Sequence, residues 1–273
     1  MITGLSLIFG LVVGLSLGLT GGGGAIFAVP LLVYGLGVPA REAVGISLAA
    51  VGATSLIGFL QRWRLGQVEI GTGLLFAIAG MVGAPVGSWI AGRLPETLLL
   101  LLFAGLMLIV AIRMWQRSPA AASVETLPAQ ENSTSEGTCR RDETGTLILT
   151  SPCALLLLAV GLLTGLLAGL FGVGGGFVIV PALILFSNMS IHRAVGTSLM
   201  VIALVSASGV TAHVMAGRDI PLDITGLFLL GGLAGLFTGQ MISTRLSGTV
   251  LQRVFVIAIL AVAGYVLLQN LVF

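Results

Sequence analysis

The sequence has 273 residues, of which 57% are hydrophobic and only 8% are charged, and its formal net charge is +2. A soluble domain carries about 25% charged residues, so this composition excludes a water-soluble enzyme, and the apolar content excludes a disordered chain. The small net charge gives no sign of a nucleic-acid partner. The remaining class is an all-α membrane protein that crosses the bilayer several times.

Charged residues divide the chain into uncharged runs, and most of these runs have the length of one membrane crossing. A crossing needs roughly 20 apolar residues, and the runs that fit are 43–61, 70–92, 97–112, 194–217, 224–244 and 254–273. Runs 1–40 and 144–192 are too long, since a helix over the first of them would extend about 60 Å through a hydrocarbon core of about 30 Å. Each long run must therefore turn back on itself.

Each long run contains a glycine cluster, where we expect the helix to break. The clusters are Gly21-Gly22-Gly23-Gly24 and Gly172-Val173-Gly174-Gly175-Gly176, and glycine costs a helix about 1 kcal/mol per residue relative to alanine. Pro30 and Pro181 follow as further helix breaks. The sequence predicts a hairpin or re-entrant segment at each cluster, and three spanning helices after it.

Residues 118–146 separate the two halves and are rich in Ser, Thr, Ala and Glu. This composition predicts a solvated, disordered linker. We therefore divide the chain into a first membrane repeat, 1–117, the linker, and a second membrane repeat, 147–273.

The two halves repeat each other at an offset of 151 residues, which becomes 152 after one insertion. Ala43-Val44-Gly45-x-Ser47-Leu48 corresponds to Ala194-Val195-Gly196-x-Ser198-Leu199, and Gly80-x-x-Gly83-x-x-x-Gly87 corresponds to Gly232-x-x-Gly235-x-x-x-Gly239. Spaced small residues of this kind predict close helix packing. Internal repeats of membrane helices are typical of secondary transporters.

The distribution of arginine favours an inverted repeat, in which the second half lies upside down. With the start of the chain outside, nine arginines fall on the cytoplasmic side and three outside, whereas a parallel repeat gives seven and five. Cytoplasmic loops are enriched in Lys and Arg. We therefore expect a multi-pass protein of the cell membrane with a cytoplasmic linker.

The glycine clusters are the first candidate binding site. A helix that restarts after a break has free N–H groups and a dipole that suit an anion, and two such ends can meet at the midplane of an inverted repeat. The alternative is that the glycines only permit tight turns. The predicted contacts with substrate are Gly21, Gly22, Gly23, Gly24, Gly172, Gly174, Gly175 and Gly176.

Polar side chains near the clusters are further candidates. Several hydroxyls lie on the two helices that follow (Thr54, Ser55, Thr197, Ser206 and Ser208), and we favour Ser47, Ser198 and Thr197 as donors to an anion. Their alternative role is to bond the carbonyl four residues earlier. Asn188 is either a donor to the anion or a helix cap.

Ionisable groups near the membrane are few. Arg41, His192, Arg193 and His213 are candidates for anion pairing or proton coupling, and their alternative role is that of interfacial anchors. No Asp or Glu lies within a spanning run, so a buried carboxylate relay is not expected.

The doubled pattern of a glycine cluster, Val-Pro and Ala-Val-Gly-x-Ser-Leu around a polar loop resembles the sulfite exporter TauE/SafE family of membrane transporters. The resemblance covers nearly the whole chain except the linker, and Ala25 stands where the second cluster has its last glycine. It implies export of sulfite or a small organosulfonate.

We therefore expect a secondary transporter that exports a small anion by alternating access, without a metal or cofactor. The bilayer and the anion are its expected partners, protons are a candidate coupling ion, and a homodimer is a candidate assembly. The alternatives are an anion channel and a carrier of another small organic anion. A membrane enzyme is disfavoured, because no paired acids or other catalytic set lies in a spanning run.

Overall fold

The structure is a computed structural model. It describes residues 2–116, 140–141, 147–148, 151–176, 179–180, 182–183, 189, 191–243, 257, 260–264, 266 and 268. Five of the described helices are long and apolar enough to cross a membrane, namely Ala40–Arg64, Ile70–Arg93, Cys153–Phe171, His192–Met215 and Leu222–Ile242. The all-α membrane fold predicted from the sequence is confirmed.

The first half begins with a helix that reverses at the glycine cluster, as predicted. Helix α1 (Ile2–Thr20) ends at Gly21, whose φ of 74° is left-handed. The Gly21 N–H donates to the Leu17 carbonyl at 2.7 Å, which is the αL helix cap. Gly172 ends α6 (Ser151–Phe171) in the same way, with φ 71° and a bond of 2.8 Å to the Ala168 carbonyl.

After the turn, the chain returns along α1. It forms a 3₁₀ turn (Gly23–Phe27), a single α-helical turn that we number α2 (Ala28–Pro30) and a π-helical turn (Leu31–Gly35). A Cβ built on Gly24 would lie 2.4 Å from the Leu17 nitrogen, and one on Gly35 would lie 2.3 Å from the Phe9 ring. The long first run is therefore an antiparallel hairpin.

The remaining elements follow the predicted runs. The helices are α3 (Ala40–Arg64), α4 (Ile70–Arg93), α5 (Glu96–Gln116), α6, α7 (Ile191–Met215) and α8 (Leu222–Ser243). A two-residue antiparallel pair, β1 (Arg140–Arg141) with β2 (Leu147–Ile148), precedes α6. Cys153, at the start of α6, is buried and disulfide-bonded.

Helices α1 and α8 pack in the same direction, and so do their repeat equivalents α6 and α4. A Cβ on Gly14 would lie 1.9 Å from the Gly232 carbonyl oxygen, and one on the equivalent Gly165 would lie 2.1 Å from the Gly80 carbonyl oxygen. These backbones touch because glycine has no side chain. The predicted role of Gly80 and Gly232 in helix packing is confirmed.

Helices α3 and α7 are also repeat equivalents, but they run antiparallel at the centre of the molecule. Cβ atoms built on three glycines of α3 would meet α7 in reverse order: Gly45 meets His213, Gly52 meets Ser206 and Gly58 meets Leu199. These equivalent helices of the two halves therefore run in opposite directions. We call the end with the start of α3 end A, and the end with the start of α7 end B.

Several predicted features need comment. Pro30 is buried as the last residue of α2, where the α-helical turn ends and the chain continues as a π-helical turn; its role as a helix break stays a prediction. Arg140 and Arg141 are paired rather than disordered, because their backbones bond to β2. Pro181, Asn188, most of the linker and most of 254–273 lie outside the described residues.

Candidate functional site

Two serine hydroxyls hold the glycine turns of the opposite half. The Ser47 hydroxyl on α3 donates to the Gly172 carbonyl at 2.5 Å, and the Ser198 hydroxyl on α7 lies 2.7 Å from the Gly21 carbonyl. The Val195 carbonyl, 2.8 Å from Ser198, is a second acceptor. We call these two serine–glycine hydrogen bonds the latches. They are equivalent in the repeat, and each joins a serine of one half to the glycine turn of the other half.

The latches give Ser47 and Ser198 a defined partner in this structure, and that partner is protein rather than substrate. Thr197 is also engaged, since its hydroxyl oxygen accepts the Glu69 N–H at 3.0 Å. Contact of these three residues with an anion therefore remains a prediction. What the geometry shows is that Ser47 and Ser198 position the glycine turns.

The two glycine turns meet each other between the halves. A Cβ on Gly22 would lie 2.8 Å from the Gly176 carbonyl oxygen, and one on Gly174 would lie 3.4 Å from the Ser206 hydroxyl. Gly174 and Gly175 both have left-handed φ angles, 65° and 69°, which favour glycine. The clusters predicted to come together are thus adjacent, beside the middle of α7.

Two further hydroxyls, on the helices that carry Ser47 and Ser198, have no hydrogen-bond partner. Ser55 on α3 and Ser206 on α7 are equivalent in the repeat, and both side chains are 0% exposed with unpartnered Oγ atoms. A buried polar group without a partner costs about 1–3 kcal/mol, so each of these hydroxyls needs an explanation, such as a ligand, an ion or a water molecule that would bond to it. Ser47 and Ser198 were predicted as donors because the repeat preserves them, but the repeat preserves Ser55 and Ser206 equally.

A cavity of about 10 Å³ lies between α1, α3 and α8, bordered by Val13, Gly14, Leu17, Ala50, Val51, Thr54, Phe228 and Gly232. That volume is about enough for one water molecule. Thr54 faces it, but its hydroxyl already donates to the Ala50 carbonyl. Ser55 and Ser206 do not border this cavity, and both are shielded from solvent, since each is 0% exposed.

The predicted ionisable candidates are separated by the fold. His192 and Arg193 are exposed at the start of α7, at end B, and Arg41 is exposed at end A, where its Nη2 donates to the Leu94 carbonyl at 3.0 Å. His213 is different, because it is 0% exposed at end A and neither ring nitrogen has a partner. Within the described part of the chain, no three His, Cys, Asp or Glu residues come together as metal ligands.

Comparisons with known proteins agree with this architecture. The model of the family described as "Sulfite exporter TauE/SafE" matches residues 6–266. A "Probable membrane transporter protein" of Xylella fastidiosa is 34% identical over 264 residues, covering 94% of this chain and 92% of its own. No solved structure matches the chain.

More distant relatives carry similar names. The Bacillus subtilis "Probable membrane transporter protein YdhB" is 29% identical over 255 residues, covering 93% of this chain and 96% of its own. A "Probable membrane transporter protein" of Methanocaldococcus jannaschii, MJ0441, is 27% identical over 221 residues, covering 79% and 73%. The chain belongs to the TauE/SafE family, and it is a membrane transporter rather than an enzyme.

Proposed function

We propose that this protein is a secondary transporter that exports a small oxyanion, sulfite or a small organosulfonate, by alternating access. The observation that carries the proposal is the buried pair Ser55 and Ser206, whose unpartnered hydroxyls lie on equivalent positions of α3 and α7. The family description "Sulfite exporter" supports the choice of substrate.

The chemistry of this centre suits an oxyanion. Each serine hydroxyl supplies one O–H donor, and a donor in a low-dielectric interior interacts more strongly with an anion than it does in water. Gly174 adds no side chain beside Ser206, so oxygen atoms of a ligand can approach the backbone closely. Two hydroxyls, one from each half, would donate to the oxygen atoms of an anion of tetrahedral or pyramidal shape.

The arrangement of helices supports alternating access. Equivalent helices α3 and α7 run antiparallel, whereas α1 with α8 and α6 with α4 pair in parallel. If α3 and α7 span the bilayer, the halves have opposite orientations, which is the inverted repeat of many carriers. Exchange of conformation between the halves would then open the central site first to one side and then to the other.

We further propose that end B faces the cytoplasm of a cell membrane. Among the described helices, end B carries Arg62, Arg64, Arg113 and Arg193, and end A carries Arg41, Arg93 and Arg218. The arginines of the linker extend the excess at end B. The disulfide of Cys153 at end B favours the opposite orientation, because disulfides persist in oxidising compartments. The arginine count outweighs the disulfide because it rests on many residues.

This orientation suits export energetically. An inside-negative potential favours anion efflux by about 2.3 kcal/mol per charge per 100 mV. An exporter of this kind needs no ATP, and the sequence contains no Gly-x-x-x-x-Gly-Lys phosphate-binding motif.

The test is transport of labelled sulfite and of labelled methanesulfonate in proteoliposomes that contain the full chain. We expect saturable flux that each anion inhibits for the other, and loss of flux in Ser55→Ala with Ser206→Ala. The control is Thr238→Ala, because Thr238 is exposed and bonds only within α8.

The outcomes separate the alternatives. Flux that does not saturate would indicate a channel, and saturable flux of a different anion alone would overturn the assignment to sulfur anions. Full activity of the double serine variant would overturn the central site.

A further inference from the structure

The two ends of the molecule carry the same turn. After α3, Gly66 has φ 69° and the Gln67 N–H donates to the Arg62 carbonyl at 3.1 Å; after α7, Gly217 has φ 70° and the Arg218 N–H donates to the His213 carbonyl at 3.3 Å. Arg62 and His213 are equivalent at the offset of 151 residues, as are Gln67 and Arg218. The turn at each end therefore carries two nitrogen-bearing side chains at equivalent positions, Arg62 with Gln67 at end B and His213 with Arg218 at end A.

At end B the two side chains bond to each other, although the buried Arg62 Nε has no partner among the described residues. Arg62 Nη1 donates to the Gln67 side-chain oxygen at 3.2 Å. The amide oxygen supplies the acceptor that the guanidinium requires, because arginine carries donors only.

At end A the acceptor that corresponds to the Gln67 side-chain oxygen is missing. Arg218 stands in the place of Gln67, so the pair consists of an imidazole and a guanidinium, and His213 has no hydrogen-bond partner on either ring nitrogen although it is 0% exposed. The Arg218 Nη atoms reach only the Ser88 carbonyl, at 3.3 Å. The imidazole of His213 is thus buried without a partner beside a half-buried guanidinium, and an acceptor oxygen between them would accept an N–H from each.

Arg218 and its neighbour Arg41 carry the same sign of charge, and the carboxylates of Glu42, Glu96, Asp219 and Asp223 also lie at end A. Burial lowers the pKa of Arg218, and the neighbouring Arg41 lowers it further. Both effects disfavour the positive guanidinium in the absence of an anion. Arg41 bonds to the Leu94 carbonyl, and Glu96 accepts the Ala40 N–H at the start of α3.

Two glycines leave room for the pair. A Cβ on Gly45 would lie 2.6 Å from His213 Nε2, and one on Gly92 would lie 1.9 Å from Arg218 Nη2. Any larger residue at either position would displace the side chain beside it.

We propose that His213 and Arg218 form an anion-binding site at end A, where oxygen atoms of a small oxyanion supply the missing acceptor. We call this site the station. The transported anion binds there before it reaches Ser55 and Ser206, or after it leaves them. The identity of the anion rests on the proposed function, but its binding is measurable without transport.

The probe is sulfite, titrated at constant pH and ionic strength, with chloride replacing it in the reference sample, into the full chain in detergent with ¹⁵N-labelled histidine. The sequence has two histidines, so the exposed His192 serves as an internal reference for His213. We expect saturable shifts of the His213 ring nitrogens and none at His192. Equal shifts at both histidines, or no shift at His213, would overturn the proposal.

Variants separate binding from folding. Arg218→Gln should weaken binding about tenfold or more, the loss of one charge-assisted hydrogen bond. His213→Arg combined with Arg218→Gln reproduces the Arg62–Gln67 pair of end B. We expect this double variant to fold and to abolish sulfite binding. Arg64→Gln is the control, because Arg64 is exposed at end B. Unchanged sulfite affinity in both end-A variants would overturn the site.

Two further arms identify the source of the anion and separate this proposal from the proposed function. If His213 shifts on transfer to phosphatidylglycerol nanodiscs and ignores sulfite, the occupant is a lipid phosphate and the station is overturned. Saturable binding at His213 without flux in proteoliposomes would support the site and overturn the transport proposal. Flux that Arg218→Gln leaves unchanged would overturn the station alone.

Discussion

The hydroxyl of Ser47 donates to the carbonyl of Gly172 at 2.5 Å, across 125 residues of sequence. Its equivalent joins Ser198 to the Gly21 carbonyl at 2.7 Å. Each bond fixes the point at which the chain turns, and each runs from one half to the other. The hairpins are therefore stabilised by their partner repeat as well as by contacts within their own half.

Removal of a latch should destabilise the protein. We expect Ser47→Ala to lower the free energy of unfolding by about 1–3 kcal/mol, because the buried Gly172 carbonyl loses its partner. Thermal unfolding in detergent measures the effect. Thr238→Ala should change stability much less, since Thr238 is exposed and bonds only to carbonyls of its own helix. Equal melting temperatures for the two variants would contradict the latch.

The glycine caps can be tested with a pair that shares backbone strain but differs in packing. Gly172 and Gly66 have similar φ angles, 71° and 69°, but a Cβ on Gly172 would lie 2.7 Å from Val44 Cα, whereas nothing lies within 4 Å at Gly66. Gly66→Ala should cost about 1–2 kcal/mol from the left-handed conformation alone. Gly172→Ala should cost more and reduce the folded yield. A smaller loss for Gly172→Ala would show that the turn is not tightly packed.

The close helix pairs predict a second contrast. Gly14→Ala should separate α1 from α8, because its Cβ would lie 1.9 Å from the Gly232 carbonyl oxygen, and Gly165→Ala should act in the same way on α6 and α4. Gly105→Ala, where nothing lies within 4 Å, should be neutral or stabilising by up to about 1 kcal/mol, since alanine favours helix. Melting temperatures of the three variants check this. Indistinguishable values would refute the glycine-mediated contacts.

The meeting of the two glycine turns predicts an effect on transport. Gly22→Ala would place a Cβ 2.8 Å from the Gly176 carbonyl oxygen and should push the turns apart. We expect flux in proteoliposomes to fall on the order of tenfold, since small displacements at a binding site have large effects. The control is Gly71→Ala, at an exposed position of α4 with open space around it. Normal flux in Gly22→Ala would show that the contact between the turns is not needed.

Much of the fold follows from the sequence because the relevant forces are local. Long apolar runs must be helical in a bilayer, where each backbone group needs an internal partner. Gly21 and Gly172 end their helices because left-handed φ angles favour glycine. The offset of 151 residues also predicts that these turns are equivalent.

The binding site was harder to predict, because equivalent serines have identical sequence signatures. Ser47 and Ser198 bond to the opposite half, whereas Ser55 and Ser206 have no partner. Nothing within either helix separates the two pairs. The difference depends on how far the docked hairpin reaches along α3 and α7.

The ends of the molecule show the same limit. The sequence by itself determined that Arg62 and His213 occupy equivalent positions, since the repeat aligns them. Only the tertiary structure decided that Arg62 bonds to Gln67 while His213 is buried against Gly45 without a partner. Helix periodicity and the avoidance of charge in lipid act along the chain, but the pairing of a buried polar group depends on the position of atoms in another helix.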